Sequence, residues 1–496
     1  MLQQSNPIFT AQQTRDLDNL TISKAGISGL SLMHRAGEFT WQVLLNQWQN
    51  CQHVLVLCGT GNNGGDGYVI ALLAKQAGKQ VSIIQLGNVE SQSDDALTCR
   101  LEMEKNGLTI EKFVGNLPDQ VDVIVDAMFG TGLKRAVNGE WFDIIQAINL
   151  HSAPVIAVDI PSGLHADSGC ILGDAVIADV TTTFIGRKQG LYTNDGKQCC
   201  GEIHFSDLGV PDDIYKRIPT NHYCLKPDLS GFAHNKRNKN SHKGNFGHVL
   251  VIGGDVGMSG AVTMAACAAL RSGCGLVTVA THPDHAALVN VYQPEIMSIG
   301  LHNPSDLEKI IHKVDIIVLG PGLGLSSWSE NVFATVFKHN VKPLVVDADA
   351  LNLLSKHHHD VSNAVLTPHP GEAAALLGVS TVDVQKDRFF AVNALQNKYH
   401  CAIVLKGAGS LISINKSVYV CIAGNPGMAT AGMGDILSGI IASLLAQNRS
   451  SLNIDEIVCY AVMLHSLAGD KVAKQNGEKG MLATDLFPQV RALING

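Results

Sequence analysis

The chain opens MLQQSNPIFT, which has neither the basic start nor the apolar run of a secretory signal, and no apolar stretch attains the length of a bilayer span. A cytoplasmic location with no membrane partner is expected. The twelve cysteines form no CxxC pair, so neither a disulfide framework nor a thiolate zinc site is indicated, and reduced thiols are the expectation. Surplus positive charge is also lacking. The formal net charge of −8 leaves no footprint for a phosphate backbone, which argues against nucleic acid as a partner. No Walker-type GxxxxGK(S/T) occurs, so any nucleotide must be held by another architecture. What the chain does have is apolar content: 46% hydrophobic against 16% charged residues, enough for well-filled cores. Its 496 residues exceed what one core usually organises, which predicts two domains.

Short aliphatic runs alternate with helical patterns throughout. The first series is HVLVLCG at 53–59, VSIIQLG at 81–87, VDVIVDA at 121–127 and PVIAVDI at 154–160. A second begins with HVLVIGG at 248–254 and continues through GLVTVAT, DIIVLGPG, PLVVDADA, AVLTPHPG and AIVLKGAG. The pattern predicts parallel sheets with crossover helices, an α/β class of two three-layer α/β/α domains. From about Pro211 to Asn245 the text turns polar, with HNKRNKNSHKGN almost free of apolar residues. The expected division is a first domain over 1–220, a linker over 221–245 and a second domain over 246–496. Residues 10–48 read as two helices, the second carrying LSLMHRAG, packed on the first sheet. The run His357, His358, His359 lies in polar surroundings where loops are expected, without converging partners for a metal.

In parallel sheets, ligands sit beyond the carboxyl ends of the strands, which directs attention to the loops there. GTGNNGGDG at 59–67 offers backbone N–H groups and a helix start to an anion. It contains a formal GxGxxG at Gly59, Gly61 and Gly64, but the next strand runs into Gln85, Leu86 and Gly87, where a dehydrogenase needs an acid. Asn62, Asn63 and Asp66 are surplus to a glycine turn. DAMFGTGLKRAV at 126–137 sets Asp126 at a strand end, followed by the cations Lys134 and Arg135, which suit a pyrophosphate. DIPSGLHADSG at 159–169 sets Asp159 at a strand tip and Ser162 in a tight turn. Taken singly, each acid also reads as a helix N-cap.

In the second half, glycines near Ala261 give access to the backbone, and strand ends deliver GPGLG at 320–324, DADALN at 347–352, TPHPGE at 367–372 and KGAGS at 406–410. The segment from Ala423 ends in Gly432, Met433, Gly434 and Asp435 before a long apolar helix. Backbone N–H groups at that helix start make an anion hole for a transferring phosphoryl group, with Asp435 placed to accept a proton from the attacking hydroxyl. An N-capping aspartate is the bland alternative.

The loops of residues 1–215 together resemble the NAD(P)H-hydrate epimerase family, also called the YjeF N-terminal domain, whose fold is Rossmann-like. The resemblance implies a potassium ion held by Asn63, Asp126 and Ser162. It also implies substrate contacts from Asn62, Asn63, Gly64, Gly65 and Asp66, from Gly130, Thr131, Gly132, Leu133, Lys134, Arg135 and Ala136, and from Asp159 at the reacting ring. Asp159 is the candidate acid for interconversion at C6, with Lys188 a weaker second. One departure is His34, where family members often carry an acid. GMGD resembles the ribokinase-like kinases. Residues 226–496 are similar more narrowly to ADP-dependent NAD(P)H-hydrate dehydratases, matched at HKGNFGHVLVIGG, GPGLG, DADALN, TPHPGEAA, KGAG and GMGD. This implies that Ala261, Gly324, His369 and Asp435 contact the hydrated dinucleotide. Lys406, Gly407, Ala408, Gly409, Ser410 and Gly434 would contact ADP with its Mg2+. A rigid loop histidine is the rival account of His369, and ATP the rival donor. A homo-oligomer that repairs NADHX and NADPHX is the expectation. A small-alcohol kinase would explain GMGD equally well but not NNGGDG with DIPSG, and a non-catalytic sensing module would not need Asp126, Asp159 and Ser162 together.

Overall fold

In the computed structural model, which describes residues 5–88, 92, 94–229, 237–448 and 454–496, the two apolar series become two sheets. The chain divides into two compact units, Pro7–His222 and Tyr223–Gly496. Among the described residues no helix is long and apolar enough to cross a membrane.

The first unit starts with helices α1 (Ala11–Ala25) and α2 (Gly29–Gln47). Thr10 caps α1 through a reciprocal pair with Gln13, and Gly26 ends it in the left-handed conformation. Strands β1 (His53–Cys58), β2 (Gln80–Gln85), β3 (Val123–Ala127), β4 (Val155–Val158), β5 (Val180–Phe184) and β6 (Glu202–Ser206) lie in the order β2-β1-β3-β4-β5-β6. All pair in parallel. The chain leaves β1 first toward β2 and later toward β3 on its other side, so the crevice between β1 and β3 is the switch point where such sheets bind ligands.

Helix α3 spans Asn62–Gln76, so Gly64, Gly65 and Gly67 lie inside it and not in the loop expected over 59–67. The reason is packing. A side chain on Gly64 would collide with the Gly59 carbonyl, one on Gly65 with Met33 of α2, and a Cβ on Gly67 would stand 2.8 Å from both Ala127 and Cys58. These glycines let α3 press onto the sheet and onto α2.

In the second unit, β7 (His248–Ile252), β8 (Leu276–Thr281), β9 (Met297–Gly300), β10 (Ile316–Leu319), β11 (Leu344–Val346), β12 (Ala364–Leu366) and β13 (Ala402–Leu405) pair in parallel. An antiparallel hairpin, β14 (Ser410–Ile414) and β15 (Ser417–Cys421), extends the β13 side. Among these nine strands the order β9-β8-β7-β10-β11-β12-β13-β14-β15 places this unit's switch point between β7 and β10. Helix α4 (Ser259–Arg271) packs beneath α7 (Met433–Gln447), where Gly439 admits the Ala265 carbonyl; α5 (Pro370–Leu377) and α6 (Arg388–Tyr399) lie between them in the chain.

Of the stretch 221–245, residues 230–236 lie outside the described residues. On its two sides, Leu225 and Leu229 join the core of the second unit, and the Arg237 guanidinium lies 3.7 Å over the Phe246 ring. His359 stacks on Phe337 with ring centroids 4.4 Å apart, and among the described residues no group of three or more His, Cys, Asp or Glu is placed to hold a metal. None of the twelve cysteines forms a disulfide.

Candidate active sites

At the carboxyl end of β3, Asp126 is fully buried. Ser162 donates to it twice, from Oγ at 2.6 Å and from its backbone N–H at 2.7 Å, and the Met128 N–H adds a third bond at 3.2 Å. Ser162 Oγ accepts the Phe129 N–H at 2.9 Å, and Asn63 Nδ2 donates to the Phe129 carbonyl at 3.1 Å. Asn63, Asp126 and Ser162, from the ends of three different strands, therefore meet around one loop, and all three are buried. Burial pushes the Asp126 carboxyl up to about 6 against the pull of the Ser162 bonds, and no basic side chain among the described residues compensates it. None of these acids caps a helix.

Asp159 has a φ of +68°, a conformation that side-chain-bearing residues rarely adopt. It is held there by the buried Lys188 ammonium, which also donates to Thr183 Oγ1 at 3.1 Å and to the Phe184 carbonyl at 3.0 Å. Lys188 is thus spent inside the protein and unavailable to a phosphate, whereas Lys134 and Arg135 are exposed on the loop after β3. Gly130 faces Asn63, a Cβ there lying 3.6 Å from the Asn63 Cβ, so the start of α3 adjoins the loop after β3. Asp66, in the first turns of α3, is pushed well above the usual carboxyl range by burial and then by the charges of Asp159 and Asp18. Sequence reasoning passed over Asp18, whose helix reads simply as a packing element. His34 stands 3.8 Å from Glu102 on the neighbouring helix.

The second site gathers at the ends of β11, β12 and β13. Lys406 Nζ lies 2.8 Å from Asp347 Oδ1 and 3.7 Å from Glu372 Oε2. Gly434 abuts this pair, since a Cβ on it would be 3.1 Å from Lys406 Nζ and 3.7 Å from Asp347 Oδ2. Gly432, at φ +90°, turns the chain into α7 and places Asp435 in its first turn. Burial, followed by the charge of Asp347, raises Asp435 to about 7, with Lys406 opposing and Asp349 and Glu372 adding to the rise. Against its own burial, Lys406 holds Asp347 below the usual range.

His369 is the N-cap of α5: its Nδ1 accepts the Gly371 and Glu372 N–H groups at 3.0 and 3.3 Å, while Glu372 accepts the His369 N–H at 2.7 Å. Its Nε2 lies 3.3 Å from Glu372 Oε1. At the switch point the turns after β7 and β10 are bonded together, Asp255 N–H to the Gly322 carbonyl at 2.7 Å. Ala261 packs there, 3.1 Å from where a Cβ on Gly322 would be. The Gly324 N–H donates to Asp349 at 2.8 Å, linking this corner to the acids around Asp435. The loop 406–410 is shaped from beneath by Arg388, fully buried, which donates to the carbonyls of Ala408, Leu405 and Lys406 at 2.7, 3.2 and 3.2 Å. Gly407, at φ +142°, leaves room for that guanidinium. The sequence gives no sign of Arg388. Asp347 and Glu372 had one, an acid directly after a strand and an acid three residues into a helix.

Residues 249–491 match the family described as NAD(P)H-hydrate dehydratase, and residues 29–190 the family described as YjeF-related protein N-terminus. The bifunctional NAD(P)H-hydrate repair enzyme Nnr of Coxiella burnetii is 44% identical over 98% of this chain and 99% of its own. That of Escherichia coli is 40% identical, over 95% of this chain and 90% of its own. A solved ribokinase-like superfamily protein from Enterococcus faecalis, 31% identical, aligns with 55% of this chain and 95% of its own at a TM-score of 0.51. Likeness that runs end to end and carries both halves places the chain in the family of bifunctional NAD(P)H-hydrate repair enzymes.

Proposed function

We propose that the first unit interconverts the R and S hydrates of NADH and NADPH at C6, and that the second dehydrates the S hydrate at the expense of ADP. The observation that carries the second activity is Asp435, a carboxyl raised to about 7 in the first turn of α7 beside Gly434, Lys406 and Asp347. A carboxylate of that strength takes the proton from the C6 hydroxyl as its oxygen attacks the β-phosphorus of ADP. AMP departs. The C6–O bond then breaks with phosphate as leaving group, and loss of a C5 proton restores the reduced ring. Lys406, with Gly407, Ala408, Gly409 and Ser410, would hold the nucleotide, and Ala261, Gly324 and His369 the hydrate.

Mg2+ fits this site as a nucleotide-borne ion. Asp347 Oδ2 is buried without a hydrogen-bond partner among the described residues, and Mg2+ typically takes one or two carboxylates besides phosphate oxygens. It would supply charge neutralisation at the phosphates. In the first unit, Asn63, Asp126 and Ser162 offer oxygen donors only, around a buried and uncompensated carboxyl, which suits a hard monovalent cation such as potassium. That ion would fix the loops after β1, β3 and β4 against each other. Asn62–Asp66 and Gly130–Ala136 would then hold the dinucleotide, with Asp159 at the nicotinamide ring.

The deciding assay offers the pure chain each hydrate separately, with and without ADP. R-to-S conversion without nucleotide and ADP-dependent formation of NADH from the S hydrate are expected. NADH formation without any adenine nucleotide would refute the phosphoryl route.

A further inference from the structure

We propose that Asp18, on the helix preceding the first sheet, hands a proton to the departing C6 hydroxyl in the epimerase site and regains it on re-addition. The inference rests on the epimerase reading above.

Helix α1 is fastened across the strand-end loops at several points. The Phe9 N–H donates to the Arg187 carbonyl at 2.8 Å and the Gln189 N–H to the Phe9 carbonyl at 3.0 Å, so the chain entering α1 runs beside Lys188. The Ala11 N–H donates to Asp167 at 2.6 Å, in the loop after β4. Arg15 reaches the Thr131 carbonyl at 3.5 Å, in the loop after β3. Thr14 covers Gly186, where a Cβ would be 2.9 Å from its hydroxyl. Asp18 lies four residues beyond Thr14, on the same helix face, and near enough to Lys188 and Asp159 for both charges to act on it.

The two acids there are unlike. Asp159 is bound by the Lys188 ammonium and approached by the Phe184 N–H at 3.4 Å, so it is placed to face the cation that forms when hydroxide leaves. No donor among the described residues bonds to the Asp18 carboxyl. Asp18 faces Lys188 and Asp159 on the loops, Arg15 on its own helix, Asp66 on α3 and the Tyr215 phenol. Burial and the charge of Asp159 outweigh Lys188 and Arg15 and bring Asp18 to about 7, where giving and regaining a proton are both easy. The step balances without oxidant or reductant. The C6–O bond breaks, oxygen leaves with the Asp18 proton as water, and the charge rests on the N1–C6 iminium. Water adding to the opposite face forms the new C6–O bond, and its proton returns to the Asp18 carboxylate through water in the site.

The test supplies R hydrate to the full chain without nucleotide and follows S hydrate by chromatography between about pH 5.5 and 9, less the enzyme-free rate. The wild-type rate is expected to fall above about pH 7. Asp18→Asn should lower kcat on the order of 10²-fold to 10⁴-fold with KM little changed, and should lose that alkaline limb. Asp18→Glu should recover part of the rate with the limb displaced. A normal kcat in Asp18→Asn, a change confined to KM, or a limb that persists there and vanishes in Asp66→Asn overturns the proposal. Should Asp18→Asn fail to fold, an unshifted profile in Asp18→Glu overturns it equally. A wild-type chain that converts no R hydrate fails the epimerase reading itself, a distinct result.

Discussion

Replacing Asp435 with asparagine separates its chemical part from its cost to the fold. Burial and Asp347 raise this carboxyl to about 7, so the folded unit holds a proton that the unfolded chain releases near the usual carboxyl range. Stability attributable to the group is therefore intact in acid, is lost as pH rises from about 4 to about 7, and stays lost above that. A displacement of that size caps the cost at about 4 kcal/mol, and screening by the solvent that still reaches this partly buried side chain reduces it to about 1–2 kcal/mol. Asparagine fills the same space without charge, and Lys406 keeps its partner in Asp347. Asp435→Asn should thus melt a few degrees above the wild type at pH 8 and level with it near pH 4.5, at about 2–4 °C per kcal/mol for a unit of this size. Over the same range ADP-dependent dehydration should fall on the order of 10²-fold to 10⁴-fold, with ADP binding retained. Scanning calorimetry and single-turnover NADH formation read the two effects. A variant with near-normal turnover removes the base role, and a thermal gain equal at both pH values removes the electrostatic account.

Lys406→Ala should raise the ADP requirement more than the hydrate requirement. By stranding the buried Asp347 charge it should also cost about 3–5 kcal/mol, much of which Lys406→Met with Asp347→Asn should restore in a melt, without restoring ADP affinity. Asp126→Ala, or exchange of potassium for a bulky organic cation, should slow R-to-S conversion while ADP-dependent dehydration continues; loss of dehydration alone would invert the assignment of chemistry to units. Gly64→Ala should destabilise the first unit by about 1–3 kcal/mol or more, since the methyl collides with the Gly59 backbone, and a normal melt would show that α3 shifts freely.

The strands visible in the sequence were those with mainly aliphatic runs. β5 was not, because VTTTF reads as polar; yet Thr181, Thr182 and Thr183 are fully buried, with Thr181 donating to the Cys200 carbonyl at 2.7 Å and Thr182 paired with Thr40 at 2.8 Å. Hydroxyls satisfied inside the fold pass for surface residues in a hydropathy pattern. Residues at strand ends were legible for the opposite reason, since an acid directly after an aliphatic run has few structural uses. Asp126 and Ser162 stand 36 positions apart and share two hydrogen bonds, which spacing cannot announce. Arg388 was invisible: an arginine near a helix start looks solvated until the loop it supports is folded over it. The glycines of NNGGDG read as a flexible loop, whereas the Gly59 backbone and the side chains of Met33, Ala127 and Cys58 press close enough to require glycine within a helix.

Both units reach the same electrostatic arrangement from unrelated strands. In each, a lysine from a strand-end loop pairs with one carboxylate, Lys188 with Asp159 and Lys406 with Asp347. A second carboxyl stands in the same field without the ammonium to itself, Asp18 in one and Asp435 in the other, and each is brought by burial to about 7. One ammonium beside two carboxyls pairs with only one of them, and the other titrates near neutrality. The paired acid is then fit to face positive charge on the nicotinamide ring or to hold the lysine against a phosphate, and the unpaired acid is fit to move a proton. Reactions at the same C6 hydroxyl, one releasing it as water and one converting it to phosphate, both need such a pair. Exchanging the lysine for methionine in either unit should therefore flatten the pH profile of the activity housed there and leave the other activity's profile unchanged.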